Sequence, residues 1–145
     1  MKAKEYLRQL QRLDTIINQK IREAEELRAK SVGVGSVDCS SERVQTSPSG
    51  ESSFSKLLDK IIDLEAEINA EIDAFHHQKH EIINQIQSLK NSKHIEILYR
   101  HYVEFKRLEV IAVEMNFTYQ YVVEMHGSAL KEFQRTYENL LKTYI

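Results

Sequence analysis

Apolar side chains along residues 2–30 recur at alternating spacings of three and four: Tyr6, Leu10, Leu13, Ile17, Ala24 and Leu27. That spacing places them on one stripe and predicts a single amphipathic or coiled-coil helix. Lys20 falls on the stripe, where neighbouring Ile21 takes over the packing. The period then stops. From Ser31 to Ser53 the text is SVGVGSVDCSSERVQTSPSGESS, rich in Ser and Gly, with the only proline at 48. It predicts a flexible linker, and Ser53 is placed to cap a second helix. A second, longer stripe runs from Phe54 to Leu89 through Leu58, Ile61, Ile68, Ile72, Phe75, Ile82 and Ile86, interrupted by Glu65 and Lys79. Leu57, Leu64 and Ile83 widen it, as expected of a helix with more than one neighbour. A structureless stretch as long as 31–53 is unusual inside a compact domain, so the flanking helices are expected to form an extended hairpin.

Asn91 and Ser92 end the long helix and can cap the next. Beyond them the apolar runs shorten. Ile95, Ile97, Leu98 and Tyr102 predict a first short helix, Leu108 to Met115 a second, and Thr118 to Tyr137 or beyond a third. The second and third have the spacing of a helix-turn-helix. Small Ala112 stands where the two helices cross. Four residues later Asn116 can adopt the left-handed backbone that the turn needs. Thr118 is a good N-cap. Ile111, Met115, Phe117, Val122 and Met125 supply the small core, and these apolar residues would serve any three-helix bundle equally well. The fold class is therefore all-α, with a long helical hairpin or coiled coil over 1–92 (linker 31–53) and a helix-turn-helix domain over 93–145.

Composition narrows the function. With 4 Gly, 1 Pro and no Trp in 145 residues, and 29% of them charged, a helical protein is favoured over a compact α/β enzyme. Net charge is −2, so no global basic field holds a polyanion, and any such binding is local. Residues 1–30 have 8 basic against 5 acidic side chains and residues 54–92 have 4 against 7, which favours pairing the two long helices. The sequence leaves open whether they pair within one chain or between two. The lone Cys39 excludes an internal disulfide and suits a reducing compartment. The opening MKAKEYLRQLQRL lacks the apolar core of a signal peptide, and no apolar run reaches the ~18 residues of a membrane span. The expectation is a soluble, intracellular protein. FHHQKHEIIN sets His76 and His80 four apart, but without the second His of a zinc-protease motif or an accompanying Cys it reads as a polar helix face. No nucleophile–base pair or phosphate-cradling Gly loop is present, so neither an enzyme nor a cofactor is expected.

The stretch IEILYRHYVEFKRLEVIAVEMNFTYQYVVEMHGSALKEF resembles region 4 of bacterial sigma-70 factors. Over nearly its full length, through KAKEYLRQL, ERVQTSPSG and KIIDLEAEIN in order, the chain resembles small phage transcriptional regulators of the ArpU/RinA type. The resemblance implies a phage or prophage protein of a Gram-positive host that activates late genes, such as those for packaging. One departure lies before the second short helix. The pattern there often has Gly followed by a Thr or Ser cap, and here Phe105 and Arg107 stand in those places.

In the usual docking, the first turns of the third helix meet base edges. By spacing these are Thr118, Tyr119, Gln120, Val123 and Glu124, with Gly127 and Lys131 further along the same face. Gln120 can bond adenine through two hydrogen bonds, Val123 can touch a thymine methyl and Glu124 can accept from cytosine. Thr118 and Tyr119 can reach phosphate. Cations, which supply most of the affinity for DNA, are few. They are Lys106 and Arg107 before the second helix, then Lys131 and Arg135, with Glu109, Glu114 and Glu124 among them. The expected partners are double-stranded DNA, RNA polymerase and a second copy of the chain. The alternative is a coiled-coil interaction module whose helix-turn-helix docks a protein such as RNA polymerase rather than DNA. For Tyr119, Gln120 and Glu124 a plain solvated helix face is the third possibility.

Overall fold

The computed structural model describes residues 1–34 and 49–144, and every regular element among them is helical. In order these are α1 (Ala3–Val34), α2 (Ser49–Gln87), α3 (Ser92–Leu98), a π-helical turn (Tyr99–Val103), α4 (Leu108–Met115), α5 (Tyr119–Thr136) and α6 (Glu138–Thr143). The protein is all-α. Both long helices reach into the stretch read as a linker, α1 through residues 31–34 and α2 from residue 49. Once a helix is nucleated, each further residue adds a hydrogen bond, so Ser and Gly at its ends follow the established turn. Cys39 and most of the Glu42–Gly50 motif lie outside the described residues. None of the described helices is long and apolar enough to cross a membrane.

Contacts divide the chain into two units, and the boundary is not at residue 92. One unit is Thr15–Asp73 and the other joins Met1–Asp14 to Ala74–Ile145. In the first, Ile17 and Ala24 of α1 and Ile61 and Ile68 of α2 are buried. Lys20 pairs with Glu71 at 2.5 Å and Glu67 at 3.5 Å, and Arg28 pairs with Glu65. Partners on α2 fall in number as those on α1 rise, so the two helices run antiparallel within one chain. Lys20 and Glu65, which interrupt the two stripes, thus each find a partner of opposite charge on the other helix. The carboxylate of Glu71 raises the pKa of Lys20 and keeps its ammonium charged on the seam.

In the second unit the beginning of α1 and the end of α2 close over the short helices. Tyr6, Leu7, Leu10, Ile82, Ile86, Leu98, Ala129, Phe133 and Leu141 form one core. Leu7 lies off the predicted stripe and is fully buried, because α1 here has a second neighbour. Gln78 donates to Gln9 at 2.5 Å, and Asn91 caps α3 by accepting from the Lys93 N–H at 3.0 Å. Phe133 has no exposed surface and its ring lies 6.1 Å from that of Tyr6 and 4.9 Å from that of Tyr137. Truncating such a ring to alanine typically costs about 3–5 kcal/mol.

Candidate nucleic-acid interface

The second core of this unit belongs to the helix-turn-helix. Ile97, Ile111, Ala112 and Val122 are buried, and Leu108, Met115, Phe117 and Met125 pack around them. The turn between α4 and α5 is built by one residue. Asn116 has φ 55° and ψ 40°, the left-handed conformation expected of it. Its N–H donates to Val113 O at 3.3 Å, and the N–H of Phe117 donates to Ala112 O at 2.9 Å. This pair of bonds is a Schellman closure, in which one left-handed residue satisfies two carbonyls that the helix end leaves open. The Thr118 hydroxyl then accepts from the Tyr121 N–H at 3.2 Å and starts α5.

Thr118, Tyr119, Gln120, Val123 and Glu124 are all exposed and are brought together on the first two turns of α5. Lys131 is exposed further along the helix. Both helices of the motif also expose apolar side chains: Val113 is 77% and Val110 44% exposed on α4, Tyr119 51% and Val123 39% on α5.

Lys106 differs from what its position in the sequence suggests. Its ammonium meets Glu104 at 3.0 Å and both oxygens of Glu114 at 2.9 and 3.0 Å. Arg100 binds Glu114 as well, and Glu96 at 2.6 Å. Lys106, followed by Arg100, holds the Glu114 carboxyl below the usual carboxylate range. The charge of Lys106 is thus largely neutralised inside this network. Arg107 is exposed at the N-cap of α4 and makes no ion pair among the described residues. Its side chain makes no capping bond, and the left-handed position before it is taken by Phe105 at φ 57°. The Phe105 ring packs against the main core, which offsets a backbone conformation that glycine would adopt freely.

Lys93 was not legible as a site residue. It lies far from the motif in sequence, yet its ammonium is 3.2 Å from the Tyr121 hydroxyl and over the rings of Phe117 and Tyr121, at 5.4 and 5.6 Å. Only the packing of α3 against α5 brings this cation to the start of α5. The chain matches no protein-family model, no curated protein and no solved structure.

Proposed function

We propose that this protein is a DNA-binding transcriptional regulator whose reading element is the first two turns of α5. The observation that supports this best is the left-handed turn at Asn116, which leads directly into an exposed Gln120 and Val123. A rigid turn of this kind sets the angle between two helices, and a fixed angle is what lets one helix enter a groove while the other crosses the backbone. The resemblance to phage regulators makes activation of late genes in a Gram-positive host the expected role, with the protein acting as a dimer and alongside RNA polymerase.

A second reading is favoured by the surface itself. Val110, Val113, Tyr119 and Val123 are exposed, and Lys106 is tied to glutamates. In that reading the motif docks a protein such as RNA polymerase. Mobility shift on DNA from upstream of phage late genes, at two salt concentrations and with and without polymerase, separates the two. Binding by the protein alone, weakened by salt, supports the first reading. A complete absence of shift at low salt under both conditions rejects it. A shift that appears only with polymerase supports the second.

A further inference from the structure

The cations left free for phosphate do not cluster at the helix-turn-helix turn. Lys131 and Arg135 are exposed on the later turns of α5 and line two open clefts. The first, about 570 Å³, is shared with Lys90, Ser88, Ser128 and Thr136. The second, about 500 Å³, is shared with Lys2, Lys4 and Leu130. The beginning of α1 is held there by two bonds. The Ala3 N–H donates to Gln134 Oε1 at 2.7 Å, and the terminal ammonium donates to Leu141 O at 3.0 Å. Lys2, Lys4, Lys90, Lys131 and Arg135 are all exposed, and none makes an ion pair among the described residues. Glu132, the carboxylate in the first cleft, is directed inward. It contacts His94 and accepts from the Lys90 N–H at 3.0 Å.

A second observation points to a partner on the same face. Gln120, Glu124, Gly127, Lys131 and Arg135 follow one another at spacings of three or four, so they share one side of α5. Gly127 stands mid-helix, where glycine is less favourable than alanine. Nothing lies within 4 Å of where its Cβ would be, so no internal contact requires it. A glycine without an internal reason leaves an open notch between the reading end and the cationic end.

We propose that a DNA phosphate strand crosses α5 at Gly127 and is held by Lys131 and Arg135, with Lys2, Lys4 and Lys90 flanking them. The inference rests on the DNA-binding reading and assigns its electrostatic part to the beginning of α1 and the end of α5. Dimensions agree. Lys131 is roughly 16 Å up the helix axis from Gln120, at about 1.5 Å per residue. The major groove is about 8.5 Å deep, so a helix whose end touches bases at Gln120 passes the groove rim near Gly127, roughly 10 Å up the axis, with Lys131 just beyond the rim on the backbone side. The exposed Ser128 hydroxyl in the first cleft adds a neutral donor to phosphate oxygens, while those of Ser88 and Thr136 already donate to Gln85 O and Glu132 O.

The test uses the full chain and a late-promoter fragment in mobility shift, with and without polymerase. Lys131→Glu with Arg135→Glu is expected to weaken binding at least tenfold and to lower the salt slope by about 2, one per lost phosphate contact. Lys56→Glu with Lys60→Glu, the same charge change on exposed residues of α2, is the control and should change little. Gly127→Ala should raise Tm by about 2–4 °C while weakening binding, a split that a merely structural glycine would not produce. If wild type binds DNA and the Lys131/Arg135 variant behaves like the control, this inference falls and the DNA-binding reading stands. Unchanged affinity in Gly127→Ala overturns the crossing point. If wild type shifts no DNA under any condition, or binds anionic phosphatidylglycerol vesicles and ignores DNA, both readings fall.

Discussion

The Tyr102 hydroxyl and Nε2 of His126 are 3.0 Å apart, and their rings stack at 5.7 Å with 24° between planes. Burial, aided by nearby His101, Lys4 and Arg8, lowers the His126 pKa from its ordinary 6.5 to about 4. Burial also pushes the Tyr102 phenol up to about 12. Both groups are neutral at physiological pH, and the imidazole nitrogen can accept the phenolic proton. His126 is one residue before Gly127, so α5 is anchored to the core at this point.

A half-buried imidazole whose pKa is lowered predicts an acid-side loss of stability. Between pH 6.5 and about 4 the unfolded chain holds a proton that the folded one does not, so stability falls as pH falls through that window. Glu114, Glu132 and Glu138 are held below their ordinary value and act lower on the scale. Tm should therefore fall between about pH 6.5 and 5, and His126→Asn should flatten that fall while lowering Tm at about pH 7. An identical pH slope in the variant would show that His126 is not its source.

The turn should tolerate substitution according to backbone geometry. Asn116→Gly keeps the left-handed conformation and should leave stability nearly unchanged, whereas Asn116→Val should cost about 1–2 kcal/mol. Thr118→Ala removes the cap of α5 and should cost about 1 kcal/mol. Urea unfolding followed by circular dichroism measures all three. Equal effects of Gly and Val at 116 would contradict the turn described.

On the reading face, Gln120→Ala should alter sequence preference, at a cost of about 1–3 kcal/mol for a lost two-bond contact to adenine. Glu124→Lys should raise affinity for all sequences, because it removes a negative charge that faces phosphate. Arg107→Ala should weaken binding more than Lys106→Ala, since Lys106 is already engaged by Glu104 and Glu114. Competition binding on a randomised fragment pool, read by sequencing, distinguishes altered preference from altered affinity.

On α2, Phe54, Leu58 and Ile62 stand four residues apart and are 38%, 39% and 62% exposed. An apolar stripe left over after the hairpin has formed suits a second copy of the chain. Sedimentation velocity at micromolar concentration should give more than the 17.0 kDa of one chain. Leu58→Glu with Ile62→Glu should return it to that mass. A wild-type monomer would remove the stripe as a dimer contact, and with it the expectation of a palindromic DNA site.

What the sequence determined by itself was local. Helix positions follow from a period of about 3.6 residues. The α4–α5 turn follows from the tolerance of Asn116 for a left-handed backbone and from the hydroxyl of Thr118, so its residues were legible one by one. The shared side of Gln120, Val123 and Glu124 on α5 was legible for the same reason, because residues three and four apart on a helix share a side. Other properties depend on residues distant in sequence. Lys106 looks available in the sequence, but the fold brings Glu114 over it, and Lys93 joins the start of α5 only through the packing of α3. Lys2, Lys4 and Lys90 reach the end of α5 because Leu7, Ile86 and Phe133 share one core. A local pattern shows which face of a helix is apolar but not which helix covers it, and the long side chains of lysine and glutamate pair only after that packing has placed their backbones. The free charges and the unit boundary were therefore decided by the tertiary structure.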